Sequence, residues 1–150
     1  LFSAARGRDN EDHRDAWRPV YQRYGVDLVL QGHDHAYARG QGSPPTRNLP
    51  QGASLRDGET GTVYVVSVGG PKMYRNLRED WKEDGAELAR RGAGIQLFQT
   101  VEVDGNTLRY RSFTATGELF DAFDLIKGED GRPNRLVDRA PDETPSQGSH

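Results

Sequence analysis

Residues 26–35, VDLVLQGHDH, decide the fold prediction for this chain of 150 residues. The apolar run Val26 to Leu30 predicts a short β-strand buried on both faces, of the kind found in parallel sheets. Gly32 lets the backbone turn, and it places His33 and His35 at the carboxyl end of that strand, where open α/β sheets keep their functional loops. The stretch therefore predicts an α/β protein with a candidate site at this strand end.

The spacing of the two histidines bears on what they bind. If residues 33–35 continue extended, alternation directs both imidazoles to one side, with Cα atoms about 6.5 Å apart, and directs Asp34 to the other side. Two imidazoles so placed suit two metal ions about 3.5–4 Å apart, each ion taking one ring. A His-x-His pair on a loop can equally be two solvated side chains that bind nothing. The residues alone leave both interpretations open.

A longer run around the histidines carries a family resemblance. VDLVLQGHDHAYAR resembles the last signature, Gly-His-x-His, of the calcineurin-like metallophosphoesterases, and its AYAR ending is most similar to the purple acid phosphatase-like branch. GTVYVVSVGGPKMY, IQLFQTVEVDG and TATGELFDAFDLIK are similar, in that order, to the segments downstream of this signature in bacterial members. The resemblance covers Leu1 to about Lys127. It implies the carboxyl-terminal half of a four-layer αββα sandwich with a mixed sheet.

The family's earlier signatures do not occur in the sequence. These are Asp-x-His, Gly-Asp, Gly-Asn-His and the histidine of a preceding strand. We therefore expect the chain to be the carboxyl-terminal part of a larger enzyme, with residues 1–127 belonging to the domain. Residues 128–150 are rich in Gly, Pro and charge, and we expect a flexible polar tail there.

The resemblance implies a dinuclear, metal-dependent phosphoesterase that hydrolyses phosphoric esters with a metal-activated hydroxide. His33 and His35 would be catalytic, each ligating one ion, which could be iron, zinc or manganese. The partners implied are a phosphate ester and the missing amino-terminal half of the domain, without which we expect little metal binding or turnover. The rival hypothesis is a noncatalytic assembly subunit or proteolytic remnant whose histidines bind no metal.

Four further residues are candidates for substrate binding. In the family the loop that contains Arg8 and Asn10, together with Arg6, borders the site, where guanidinium and amide groups can hold a phosphate oxygen. The alternative for these two residues is a charged turn followed by a helix cap. Tyr37 and Arg39 follow the histidines closely enough to reach a substrate. His13, at the start of the predicted helix, is interpreted as a solvated residue.

Composition excludes several classes of function. A formal net charge of −3 gives no reason to expect nucleic acid, which needs a concentrated positive surface. With no cysteine, any metal must take nitrogen or oxygen ligands. No run approaches the roughly 18 apolar residues of a membrane span, and no signal peptide is visible. The family resemblance nevertheless favours a periplasmic or secreted location.

The first half of the chain also predicts elements around the site. Apolar positions from Asp12 to Tyr24 recur at helical spacing, with a kink or break expected at Pro19. Ala36 to Gly61 is rich in Gly, Pro, Ser and Arg, and it predicts an irregular, mobile rim. Thr62 to Val68 predicts a second buried strand.

The second half predicts further strands. Arg75 to Arg91 is charged and helix-favouring, and it predicts a surface helix or helical loop. Ile95 begins a hairpin that turns at residues 104–106. A third strand is expected from Leu119 to Ile126, with Asp121 and Asp124 interpreted as carboxylates of an edge strand.

Overall fold

The computed structural model describes residues 1–67 and 69–142. In this part the chain forms one helix and nine strands, so the protein is a mixed α/β protein made mostly of strands. The elements are α1 (Glu11–Tyr24), β1 (Leu28–Gln31), β2 (Tyr37–Gly42), β3 (Glu59–Thr60), β4 (Val63–Val66), β5 (Ala86–Gly92), β6 (Leu97–Asp104), β7 (Thr107–Thr114), β8 (Leu119–Ile126) and β9 (Asn134–Asp138). No helix among the described residues is both long enough and apolar enough to cross a membrane.

The strands form two sheets. The first has the order β1-β4-β2-β5 and is mixed, because β1 runs parallel to β4 while the other pairs are antiparallel. The second has the order β3-β9-β8-β7-β6, and all its pairs are antiparallel. The α/β class and the mixed sheet are thus confirmed.

Residue alternation in β4 explains how the layers stack. Val63 and Val65 belong to an apolar cluster that also contains Tyr110 and Phe123 of the second sheet. Tyr64 and its alternate Val66 belong to a different cluster, which contains Phe2 and Trp81 and against which Tyr21 of α1 packs. Because successive side chains of a strand point to opposite faces, the first sheet lies between the helix and the second sheet.

The helix is set by its ends. The side-chain oxygen of Asn10 accepts a hydrogen bond from the His13 N–H at 2.9 Å, which caps the amino terminus. Gly25 ends the helix in the left-handed conformation, with φ of 62°. The helix continues through Pro19, so the alternative of a break into two pieces is wrong, and the kink stays a prediction. Pro19 has no N–H for the helical hydrogen bond at its position, and the caps at both ends stabilise the helix around it.

The strand before the histidines is confirmed, but its predicted burial is wrong. β1 lies at the edge of its sheet, and Leu30 is 58% exposed. Only β4 pairs with β1 among the described residues, so its other edge and part of its apolar surface stay uncovered. β1 thus has the apolar sequence typical of an interior strand, but it lies at the edge of its sheet.

The expectations for an irregular rim and for a second helix are corrected by the structure. The predicted irregular rim, residues 36–61, is wrong at its start, which is β2, a buried strand in the interior of the first sheet, whereas residues 43–58 contain no helix or strand, as predicted. The predicted helix over residues 75–91 is wrong, because the segment ends in β5, where Ala86 is buried and half-buried residues alternate with exposed ones. Trp81, which precedes β5, is completely buried and fixes this segment to the sheet. Tertiary packing has overridden the helix propensity of residues 86–91.

The later strands agree better with the sequence. β4, the β6–β7 hairpin and β8 lie within the predicted segments, although Val68 is outside the described residues. β8 is an interior strand and Asp121 is fully buried, so its interpretation as an edge-strand carboxylate is wrong. β9 lies within the predicted flexible tail and pairs with β8, which extends the ordered structure beyond residue 127. Residues 143–150 of that tail lie outside the described part.

Candidate metal centre at the histidine loop

The backbone after β1 bends instead of continuing extended. His33 has φ of 73°, in the left-handed region that non-glycine residues rarely adopt. The expected extended alternation of residues 33–35 is therefore wrong. Backbone strain of this kind gathers where a side chain must be aimed in a particular direction, and His33 is exposed at the carboxyl end of β1.

Asp34 turns into the protein and holds the amino-terminal segment in place. Its Oδ2 accepts hydrogen bonds from Ser3 Oγ at 2.9 Å and from the backbone N–H groups of Ala4 at 2.6 Å and Ala5 at 3.1 Å. These bonds tie residues 3–5 to the histidine loop across about thirty residues of chain. Asp34 therefore positions the loop that leads to Arg8.

His35 has the arrangement expected of a metal ligand. Its Nδ1 lies 3.0 Å from the carbonyl oxygen of Lys72, and its ring stands edge-on to Tyr74 with centroids 5.0 Å apart. Because a carbonyl oxygen only accepts, Nδ1 carries the proton and Nε2 keeps its lone pair. Metal-binding histidines usually have their second nitrogen fixed in this way.

His33 is engaged differently. Arg8 Nη2 lies 2.8 Å from His33 Nε2, and Arg8 Nε lies 3.7 Å from Asp34 Oδ1. A guanidinium has only donors, so it donates to the lone pair of Nε2. Arg8 is thus brought to the histidines as the sequence predicts, but its contact is with the imidazole itself.

The other residues of this loop have separate roles. The side-chain oxygen of Asn10 caps α1, in agreement with the helix-cap alternative. Asn10 also lines a cavity of about 540 Å³ beside His33. His13 is exposed and borders the same cavity. Arg6 points elsewhere and pairs with Glu79.

Tyr37 and Arg39 lie in the interior, so their assignment to substrate binding is corrected. Arg39 Nε and Nη2 donate to Asp121 Oδ2 and Oδ1 at 2.7 and 2.9 Å. The Tyr37 hydroxyl donates to Asp121 Oδ2 at 2.6 Å, and burial together with the Asp121 charge raises the pKa of Tyr37 well above its ordinary value. Each of the three side chains is at most 1% exposed. A substrate at the histidines cannot reach them.

The number of side chains that can act as metal ligands limits what the site can bind. Within residues 1–67 and 69–142, no three His, Cys, Asp or Glu side chains are placed to share one metal ion. His33 and His35 supply two imidazole nitrogens, whereas an ion in a catalytic site takes three protein ligands or more. Imidazole nitrogen suits iron and zinc, whereas manganese favours oxygen ligands. The two histidines are therefore fewer ligands than a catalytic metal site needs.

The supporting contacts of the site were not predicted from the sequence. The Lys72 carbonyl and the Tyr74 ring come from a segment almost forty residues beyond His35, in a stretch without a periodic pattern. The polar character of Asp34 is visible in the sequence, but its hydrogen-bond donors are backbone N–H groups and one hydroxyl, which carry no sequence signature.

Comparison with known proteins gives no relative. No protein-family model, curated protein or solved structure matches the chain. Conclusions about function consequently rest on the geometry of the histidine loop and on the residues that resemble the Gly-His-x-His signature.

Proposed function

We propose that this chain is the carboxyl-terminal part of a calcineurin-like metallophosphoesterase of the purple acid phosphatase-like branch, and that the complete domain hydrolyses phosphoric esters. The observation that carries the proposal is the geometry of His35. Its Nδ1 is fixed by the Lys72 carbonyl at 3.0 Å, and its Nε2 has no hydrogen-bond partner among the described residues. An imidazole fixed in this manner at the carboxyl end of a parallel strand is suited to bind a metal ion.

The layer order supports the same proposal. The helix, the mixed sheet and the antiparallel sheet are three successive layers, as in an αββα sandwich that lacks one helical layer. Both β1 and β6 are sheet edges, and each exposes apolar side chains, Leu30 on β1 and Phe98, Val101 and Val103 on β6. An amino-terminal half of the domain would extend the sheets at these edges and add the fourth layer.

The chemistry follows from the residues that the chain supplies. His33 and His35 would each hold one of two ions and fix its position relative to the substrate. When bound, the two ions supply Lewis acidity for a water nucleophile and neutralise the charge of the phosphate. Arg8, with a partly exposed guanidinium beside His33, is the residue of this chain best placed to donate to a phosphate oxygen.

Substitution in the complete enzyme tests the proposal. His33→Ala and His35→Ala should each lose metal, measured by elemental analysis, and nearly all hydrolysis of a chromogenic phosphate ester. His13→Ala is the matched control, since His13 lines the same cavity as His33 but belongs to α1 and not to the histidine loop, and it should keep most of both. Equal damage from all three substitutions would contradict the assignment of the two ligands.

The 150-residue chain alone distinguishes the proposal from its rival. Two imidazoles without further ligands should bind divalent ions weakly and support no appreciable turnover, and adding the amino-terminal half should restore both. The rival, a noncatalytic piece, predicts no gain on that addition. Intact-mass measurement of the native material identifies whether a longer or second chain is present for the experiment.

A further inference from the structure

Arg8 is held beside His33 by contacts with three side chains, two on the histidine loop and one on a later segment. Its Nη2 lies 2.8 Å from His33 Nε2, its Nε lies 3.7 Å from Asp34 Oδ1, and its Cζ lies 5.6 Å from the centre of the Tyr74 ring. The loop on which it stands is itself tied to Asp34 through Ala4 and Ala5. Arg8 is therefore directed at the histidine by its surroundings.

Because of this contact, neither nitrogen of His33 has a lone pair available for a metal ion. The lone pair of Nε2 accepts from the guanidinium, and that lone pair is the one that a metal ion at Nε2 would require. With Nε2 accepting, the neutral ring carries its proton on Nδ1, so Nδ1 has no lone pair to offer either. A guanidinium and a metal ion are moreover both cations, and they repel each other at this distance.

His35 provides the contrast. Its proton is on Nδ1, where the Lys72 carbonyl accepts it, and the described residues place no donor at its Nε2. A metal ion can therefore bind His35 without displacing a protein group. The two histidines of one short loop thus differ in whether their metal-binding nitrogen is already occupied.

We infer that Arg8 competes with metal for His33, so that an ion binds His33 only when the Arg8 side chain moves off Nε2. The inference rests on the proposed function, because it concerns how the same metal site is loaded. It makes Arg8 a regulatory residue of the His33 position and predicts that the His35 position is insensitive to it.

Arg8→Met tests the inference, because Met keeps an unbranched chain but has no donor and no charge. Arg6→Met is the matched control, since Arg6 stands on the same loop and pairs with Glu79 away from the histidines. Imidazole ¹⁵N chemical shifts of the metal-free chain report the position of the ring proton. We expect Nδ1–H for His33 in the parent chain and in Arg6→Met, with a shift toward Nε2–H in Arg8→Met.

Zn²⁺ titration of the same three proteins, followed by the same ¹⁵N signals, measures the competition. Loss of one charge-assisted hydrogen bond and of one repulsive charge should raise the affinity at His33 about tenfold in Arg8→Met and leave His35 unchanged. Equal affinity at His33 in all three proteins, or an Nε2–H ring in the parent chain, would overturn the role of Arg8. Failure of Zn²⁺ to perturb either histidine in any of the proteins would instead overturn the proposed metal site, together with the competition that depends on it.

Discussion

The stretch Gly32 to Arg39 contributes different side chains to two polar clusters, one buried and one exposed. Tyr37 and Arg39 point into the space between the sheets, where Asp121 accepts three hydrogen bonds from them. His33 and His35 stand at the end of β1, where their nitrogens meet Arg8 and the Lys72 carbonyl. The carboxylate of the buried cluster is paired within the protein, whereas the exposed cluster leaves His35 Nε2 without a partner among the described residues and so suited to an external ion.

Burial and backbone strain distinguish a polar residue with a structural role from a site residue within this stretch. Arg39 is 1% exposed, and its charge is balanced by Asp121 and Asp138. His33 is exposed and adopts a strained backbone conformation. Balanced burial indicates a role in stability, while exposure combined with strain indicates a role in binding. Substitutions in the two clusters should therefore affect different measurements.

Arg39→Met should give the largest loss of stability. It removes the cation closest to the buried Asp121 carboxylate and leaves only Arg90, whose Nε lies 3.9 Å from Oδ1; breaking a buried pair in this way costs about 3–5 kcal/mol. Urea denaturation measures the free energy of unfolding. Arg6→Met, which removes an exposed ion pair with Glu79 and an exposed hydrogen bond to the Leu77 carbonyl, is the control and should cost about 1 kcal/mol. If the two substitutions had equal effects, the buried cluster would not stabilise the fold through this ion pair.

Gly40→Ala should be the next most damaging change, because β2 carries the buried cluster, begins two residues after His35 and depends on this glycine. An added Cβ would lie 2.3 Å from the Glu87 carbonyl oxygen and 2.7 Å from Trp81 Cε3. Overpacking of this kind costs about 1–3 kcal/mol. Gly42→Ala, in the same strand, is the control, because its Cβ would meet no atom closer than 3.8 Å. A larger cost at Gly42 than at Gly40 would contradict this packing of β2 against Trp81.

The same glycine shows why part of the fold could not be predicted from the sequence. Tyr-Ala-Arg-Gly-Gln-Gly lacks the β-branched pattern of a strand, and its pairing depends on the ring of Trp81, some forty residues later. β5 has helix-favouring residues, yet it completes the sheet by pairing with β2, with Ala86 buried and its other alternate residues half-buried. Where the pattern is local, as in the capped helix, β4 and the β6–β7 hairpin, the prediction agrees with the structure.

In the candidate site, too, the features with a local sequence pattern were predictable and those that depend on the folded structure were not. The Gly-His-Asp-His stretch identifies the two histidines and their place after a strand, and the structure puts Arg8 beside them. The prediction that Tyr37 and Arg39 bind substrate is wrong because their nearness to the histidines in sequence does not determine which face of β2 they occupy. The left-handed backbone of His33 is not predictable from the sequence, because glycine is the residue expected in that conformation and the adjacent Gly32 already accounts for a turn.

Comparison of His33→Gly with His33→Ala measures the strain in the exposed cluster. Both variants lose the imidazole and its contact with Arg8, so their difference isolates the backbone. Because His33 has φ of 73°, the glycine variant should be more stable than the alanine variant by about 1 kcal/mol in urea denaturation. At His35, whose φ is not positive, the order should reverse. The same order at both positions would remove the argument for strain at His33.

Asp138→Asn should have the smallest effect and should depend on pH. Asp138 is at the rim of the buried cluster, with its side chain 54% exposed and accepting a hydrogen bond from Arg39 Nη2 at 2.9 Å. Partial burial opposes ionisation of this carboxyl, but the hydrogen bonds from Arg39 and from the Ala140 N–H outweigh it, and the pKa of Asp138 lies below its ordinary value. Solvent screening at the rim limits the contribution to about 0.5 kcal/mol at pH 7.

The direction of the pH dependence follows from that lowered pKa. The folded protein holds the Asp138 proton less tightly than the unfolded chain, so the contribution is fully present above the unfolded pKa of about 3.9 and is lost as pH falls through the folded value. Asp138→Asn should therefore be less stable than the parent chain at pH 7, and the difference should shrink toward pH 3. Denaturation series at the two pH values measure it. A difference that stayed constant or grew on acidification would mean that the rim carboxylate does not act through its charge on Arg39, and that the buried cluster is balanced by Asp121 alone.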